Sequence, residues 1–102
     1  MASTSTKITE NNYPLPSEST MKHACKFSIV DDKPIMMDYW VDSIEKKATL
    51  GVYADKKKRL VKTDEEYTSY ITKLYKMGNE YIIITENSIY IVSATIPSKN
   101  IS

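Results

Sequence analysis

Few residues of this chain could act as a nucleophile, a base or a metal ligand, and His23 and Cys25 stand first among them. They are the only histidine and the only cysteine, and on an extended strand their spacing would point both side chains the same way. A thiol–imidazole pair supports nucleophilic catalysis only when a third group orients the base. A zinc site needs about four ligands, and this pair offers two. The alternative, which we favour, is two half-buried strand residues without a catalytic or metal-binding role.

The sequence also lacks the pattern of a phosphate-binding loop or of paired catalytic carboxylates. Gly51 and Gly78 are the only glycines, which excludes the glycine-rich loops that cradle phosphates. Asp38 and Asp42 lie on one predicted strand, roughly 13 Å apart, too far for concerted acid–base work on a single bond. We therefore expect a protein that is not an enzyme, with no cofactor, no metal and no small-molecule substrate.

A run of basic residues offers binding chemistry. Between positions 46 and 62 seven residues are lysine or arginine, and Asp55 is the only acid. A hairpin in this segment would gather several of them at one end, where basic groups and an aromatic ring can hold single-stranded nucleic acid. This candidate site consists of Lys56, Lys57, Lys58, Arg59 and Tyr53. The alternative is a solvated lysine face that protects a sheet edge.

Trp40 is the candidate for a protein contact. On the predicted strand over 35–42, apolar residues occupy every second position, and Tyr39 is one of them. If these residues face the core, Trp40 and Met36 face outward. An exposed tryptophan often anchors an interface, so Trp40, Met36 and Tyr39 are the predicted protein-interaction residues. The alternative is that another layer covers this face and makes Trp40 part of the core.

The elements that would position these residues are mainly β-strands. Alternating apolar residues and a shortage of glycine predict strands in the first two thirds of the chain. The predicted strands cover residues 21–29, 35–42, 48–54 and 59–62, with a hairpin turn at 55–57. Gly51 is predicted to mark a bulge. For 63–77 the pattern favours a helical turn over 63–67 and a strand over 69–76, with a longer helix as the alternative.

The C-terminal third predicts a hairpin. Gly78-Asn79 is a tight-turn pair, and two strands over 81–85 and 88–92 flank a turn at Glu86-Asn87. Both strands carry apolar side chains on both faces. Such strands need cover on each side, so we expect them at the centre of the fold.

Length and composition limit the organisation to one small domain. The chain has 102 residues with 14 basic and 13 acidic side chains, which argues against a globally basic nucleic-acid binder. Residues 1–20 are rich in serine and threonine and predict a flexible arm. The folded unit is predicted over 21–96, with a short tail over 97–102. No secretory signal and no membrane span is recognisable, so we expect an intracellular protein.

Two segments carry a resemblance. They are Tyr67-Thr68-Ser69-Tyr70-Ile71 and the stretch from Thr85 to Val92, which contains Thr-Glu-Asn-Ser-Ile-Tyr. Together they resemble the closing hairpin of short β-rich proteins of tailed phages and large DNA viruses, with a Thr-x-Asn-Ser-x-Tyr pattern. The resemblance covers about thirty residues and implies a small viral β-domain. It transfers no catalytic residue. Where such segments have proline after Thr-Ser, this chain has Tyr70, which leaves the helix alternative open.

Together these patterns predict a mainly β fold. We expect a small antiparallel barrel or rolled sheet of about six or seven strands, with at most one short helix, behind the N-terminal arm. The favoured function is a non-enzymatic structural or protein-interaction module that self-associates or joins a larger assembly, such as a virion. The alternative is a small nucleic-acid-binding barrel that uses the lysine-rich hairpin.

Overall fold

The computed structural model describes residues 14–101, which form two helices and eight strands. In chain order these elements are α1 Glu18–Asp31, β1 Ile35–Met36, α2 Trp40–Ile44, β2 Thr49–Tyr53, β3 Lys58–Thr63, β4 Glu66–Tyr67, β5 Ile71–Met77, β6 Glu80–Thr85, β7 Ile89–Ser93 and β8 Ser98–Ile101. Most of the predicted arm lies outside the described residues. Its last residues, 18–20, form the first turn of α1.

The strands form two separate sheets. The inner sheet has the order β1-β7-β6-β5, and the outer sheet has the order β4-β3-β2-β8. Neighbouring strands are antiparallel except for the parallel pairs β1/β7 and β2/β8. The predicted mainly β class is therefore confirmed. The predicted closed barrel is wrong, because within residues 14–101 the two sheets share no strand pairing and each keeps two edges. The eight strands also exceed the six or seven that we predicted.

The inner sheet is the middle layer of three. One of its faces packs Ile82, Ile84 and Ile91 against Ala24 of α1 and against Trp40. Its other face packs Ile83 and Val92 against the outer sheet, where Leu50 and Leu60 are the main partners. The predicted hairpin over 81–92 is confirmed, and so is its cover on both sides.

Helix α1 replaces the strand predicted over 21–29, and that prediction was wrong. The side chain of Ser17 caps the helix by accepting from the Thr20 N–H, and Asp32 ends it in the left-handed region at φ 54°. The buried positions Thr20 and Ala24 are four apart, as a helix requires. Ile29, which the alternation pointed inward, is 80% exposed. At 14 residues α1 also exceeds the single short helix that we predicted.

The strand predicted over 35–42 is also wrong for most of its length. It ends after Met36, and a turn leads into the short helix α2 at Trp40. The hydroxyl of Ser43 in α2 accepts a hydrogen bond from the backbone N–H of Ser93 at 2.9 Å. This contact fixes α2 beside the end of β7.

The hairpin predicted around 55–57 is confirmed as the β2–β3 connection. The predicted bulge at Gly51 is wrong, because β2 and β3 stay in register from Thr49↔Val61 to Val52↔Lys58. Glycine is needed at position 51 for another reason. A Cβ there would lie 2.6 Å from Cδ1 of Ile101, whose side chain crosses the strand.

Residues 63–77 form two strands. The hydroxyl of Thr63 accepts hydrogen bonds from the N–H groups of Glu65 and Glu66, which closes a tight turn where a helical turn was predicted. The strand predicted over 69–76 is confirmed as β5, and Gly78, at φ 61°, makes the predicted turn into β6.

The chain also forms β8 at 98–101, beyond the predicted 21–96 unit. Within residues 14–101, neither helix combines the length and hydrophobicity that a membrane span requires.

Candidate functional site

The outer face of the outer sheet carries a group of three tyrosines around one arginine. The guanidinium carbon of Arg59 lies 4.0 Å from the ring centre of Tyr70, 4.9 Å from that of Tyr67 and 5.5 Å from that of Tyr53. The amine of Lys57 lies 4.9 Å from the Tyr70 ring centre. We call these five residues the tyrosine–arginine cluster. Its rings stabilise the cation through their negative faces.

Strand register explains why these residues meet. Arg59 alternates along β3 with Leu60, which is fully buried against the inner sheet, so Arg59 faces outward. Tyr67 of β4 is paired with Val61, the next outward residue of β3. Tyr53 ends β2 at the hairpin, where its N–H donates to the Lys57 carbonyl at 2.9 Å. Two hairpin-connected strands, one short edge strand and the β4–β5 connection, which carries Tyr70, thus build the cluster.

Within residues 14–101 the cation of Arg59 has no acidic partner. In the described part of the chain, ion pairs form at Lys47–Glu45 and around Lys62, and none includes Arg59 or the lysines of the hairpin. The Nε–H of Arg59 is buried and has no hydrogen-bond acceptor among residues 14–101. A guanidinium held by rings and left without a carboxylate can still donate to an anion that reaches it.

The surface around the cluster is open and polarised. A hollow of about 170 Å³ is lined in part by Tyr53, Arg59, Tyr67 and Ile101. Tyr67 is 49% exposed and Tyr70 is 37% exposed, so both side chains are partly accessible to solvent. The hairpin end of this surface is basic, whereas the turn after β3 carries the acids of 64–66. An anionic ligand is therefore favoured at the hairpin end.

The structure brings together three of the five residues predicted for nucleic-acid binding. Tyr53, Lys57 and Arg59 belong to the cluster. Lys56 is exposed in the hairpin turn at φ 71°, and Lys58 is exposed at a strand position that alternates with Arg59. These two lysines can add positive charge nearby without contacting the rings.

The three predicted protein-contact residues do not form a common exposed surface. Trp40 is only 7% exposed, because α1 and residues 14–16 pack on the side that we expected to face solvent. Tyr39 is only 3% exposed and lies in the core beside the outer sheet, on the side that the alternation assigned to it. The alternative, that a further layer makes Trp40 part of the core, is the one observed. Met36 is exposed, as predicted.

Lys62 forms a second polar group, on the inner side of the outer sheet. Its amine pairs with Asp42 of α2 at 3.1 Å and lies 4.5 Å from the ring centre of Tyr39. Burial by itself lowers the pKa of Lys62, but the hydrogen bond and charge of Asp42, together with Glu66, outweigh it and raise that pKa. Burial raises the pKa of the Tyr39 hydroxyl, and the charge of Glu66 adds to this effect. The group links the two layers.

His23 and Cys25 do not form a pair. Both lie on α1, where residues two apart point to different sides of the helix. Nδ1 of His23 lies 2.9 Å from the Ser19 carbonyl oxygen, and Cys25 is exposed. Among residues 14–101 no three histidine, cysteine, aspartate or glutamate side chains are grouped closely enough to hold a metal ion.

Two members of the cluster, Tyr67 and Tyr70, were missed by the sequence reasoning. They lie in the segment whose structure was ambiguous, so their distance from Arg59 was unknown. The signal that could have found them is the short connection after β3, which returns the chain beside that strand.

Comparisons of the chain with known protein families, with curated proteins and with solved structures found no match. The resemblance to viral proteins therefore stays a prediction, and the chemistry of the surface carries the functional argument.

Proposed function

We propose that this protein is a non-enzymatic binding module that holds single-stranded nucleic acid on the outer face of its outer sheet. The observation that carries the proposal is the tyrosine–arginine cluster, in which Arg59 lies among three rings and has no acidic partner within the described residues. Single-stranded nucleic acid needs both parts of such a surface, because its bases stack on aromatic rings and its phosphates pair with cations.

The position and exposure of each side chain in the cluster indicate its role in binding. Tyr67 has the most exposed ring and is the position where a base can stack. Tyr70 lies against Arg59, so its ring orients the guanidinium while the guanidinium edge donates to a phosphate. Lys57 supplies a second phosphate contact from the hairpin. Stacking of this kind contributes roughly 1–3 kcal/mol per base.

The test is the binding of a fluorescently labelled oligothymidylate to the full chain, followed by anisotropy. We expect binding at low salt, with log K falling against log salt with a slope of roughly −1.4 for two phosphate contacts. A duplex of the same length should bind more weakly, because its paired bases cannot reach Tyr67. The absence of an anisotropy change at low salt would contradict the proposal.

Matched variants separate this site from general electrostatics. Tyr67→Leu and Arg59→Lys should each weaken binding by about tenfold, since the first removes a stacking ring and the second keeps the charge but loses the planar group. Lys73→Ala, an exposed residue of β5 in the other sheet, is the control and should change little. A loss in Lys73→Ala, with no loss in Tyr67→Leu or Arg59→Lys, would mean that the chain binds only through its charge.

A protein-interaction module is the second candidate. Two observations favour it. Ile29 and Val30 on α1 are 80% and 79% exposed, and Met36 of β1 is also exposed. Sedimentation velocity over a range of concentrations tests self-association. Concentration-dependent dimers that are lost on Ile29→Ser would support it, and a monomer throughout would exclude self-association through this surface.

A further inference from the structure

A second surface, separate from the tyrosine–arginine cluster, holds a short proline-containing segment of the chain itself. Residues 14–16, Pro-Leu-Pro, precede α1 and lie beside Trp40, whose indole N–H donates to the Pro14 carbonyl at 2.8 Å. A hollow of about 270 Å³ remains at this place, and its lining includes Trp40, Ile44 and Glu80. We call this hollow the Trp40 groove and residues 14–16 the strap.

The groove also contacts the chain just after the strap. Both carboxylate oxygens of Glu80 accept a hydrogen bond from the Ser17 N–H at 3.1 Å, and the hydroxyl of Thr20 donates to the same carboxylate. The groove thus offers a donor at Trp40 and an acceptor at Glu80, and Ile44, Asn79, Ser93 and Thr95 contribute to the rest of its lining. These groups match a backbone carbonyl and a backbone N–H three residues further on.

The contacts select backbone conformation more than side-chain identity. Leu15 is 64% exposed, so its side chain is not what the groove recognises. Proline holds φ near −65° and favours an extended chain that loses little entropy on docking. Extended proline-rich segments generally bind in aromatic-lined grooves, and Trp40 is the aromatic residue in the lining of this one.

We propose that the Trp40 groove is a docking site for an extended, proline-flanked segment of a partner protein, and that the strap is its resident intramolecular ligand. A tethered ligand has an effective concentration of about 1 mM, so the strap competes with any partner segment. Binding of a partner therefore requires release of the strap, which exposes the only tryptophan of the chain.

That single tryptophan provides the readout, because the full chain has one indole N–H signal in a ¹H–¹⁵N spectrum. The variant Pro14→Gly/Pro16→Gly weakens the strap and leaves Trp40, Ile44 and Glu80 unchanged. We expect its indole signal to shift toward that of a free indole, and a peptide with the sequence of residues 11–18 to return it. The apparent affinity for this peptide should be at least about tenfold higher in the variant than in the wild type.

Two controls make the result specific. A peptide with glycine in place of both prolines should leave the indole signal unmoved. In the strap variant, the further change Glu80→Gln should weaken peptide binding, whereas Glu86→Gln, an exposed residue of the β6–β7 turn, should not. The proposal is overturned if the peptide does not move the indole signal of the strap variant, or if the glycine peptide moves it equally. An indole signal identical in the wild type and the strap variant would also contradict it.

Discussion

The inner and outer sheets have the same number of strands but very different surroundings. The inner sheet is covered on one face by α1 and α2 and on the other by the outer sheet, so Ile82, Ile83 and Ile91 are all fully buried. Among the described residues, the outer sheet is covered on one face only. Its free face carries half-exposed tyrosines, Arg59 and a glycine that lets Ile101 lie across the strand.

This difference shows where the molecule has freedom for binding. A strand buried on both faces must be apolar at every position, and its side chains contribute to stability. A strand buried on one face has every second side chain free for other work. In β3, Leu60 is buried in the core and its neighbour Arg59 carries the candidate binding chemistry.

The largest difference between the sheets should appear when a core side chain is truncated. Ile83→Ala in β6 is expected to lower the free energy of unfolding by about 2–5 kcal/mol, because it leaves a cavity between the two sheets. Val61→Ala on the outer face is the matched change and should cost less than about 1.5 kcal/mol. Urea unfolding of both variants measures this difference. Equal losses in the free energy of unfolding would show that the two positions contribute alike to stability.

The close approach at Gly51 should give the next largest effect. Gly51→Ala places a methyl group 2.6 Å from Cδ1 of Ile101 and 3.1 Å from Cγ2 of Val61, which should cost about 1–2 kcal/mol. Ile101→Val removes the Cδ1 atom. In that background Gly51→Ala should be close to neutral, because alanine is also a better strand residue than glycine. A double-mutant cycle without coupling would show that Ile101 does not restrict position 51.

The link between the layers at Lys62 should give a smaller, pH-dependent effect. Lys62 and Tyr39 both have a raised pKa in the folded protein, so the unfolded chain releases these protons first as the pH rises. Their stabilisation is complete below about pH 10 and is lost above it. Lys62→Met should cost about 1 kcal/mol at pH 8 and reduce the fall in stability between pH 8 and 11.

The control for that measurement is Lys73→Met, at an exposed position of β5 in the inner sheet. It should keep the wild-type dependence on pH. If Lys62→Met follows the same curve as the wild type, the ion pair with Asp42 contributes nothing to the attachment of the outer sheet.

The smallest effect is expected at the free face itself. Tyr67→Leu should change the free energy of unfolding by no more than about 0.5 kcal/mol, because the ring is half exposed on a two-residue edge strand. Thermal unfolding checks this. A loss above about 2 kcal/mol would make Tyr67 a structural residue and would remove the main argument that the cluster exists for binding.

Periodicity predicted well wherever a segment had one pattern only. The hairpin of β6 and β7 has continuous apolar residues and a recognisable turn, and both the strands and their two-sided cover were predicted. The same kind of prediction failed over 21–29, where the alternation of apolar residues from Met21 to Ile29 does not correspond to a strand. The helix there is only weakly amphipathic, and the features that mark it are the cap at Ser17 and the buried Ala24.

The candidate site was predicted in part for a related reason. The lysine-rich hairpin is a local feature, so Tyr53, Lys57 and Arg59 were found from their spacing. Tyr67 and Tyr70 joined them only through the pairing of β4 with β3. The prediction for Trp40 failed because the residues that cover it come from outside its own strand pattern.

The amino-acid order by itself therefore determined the mainly β class, the two hairpins and the basic turn, since these depend on contacts between residues close in the chain. The tertiary structure decided what covers each face: α1 over the inner sheet, the strap over Trp40 and nothing over the tyrosine–arginine cluster within the described residues. Burial of a sheet face depends on long-range contacts, because a side chain is buried or exposed according to which distant element packs against it.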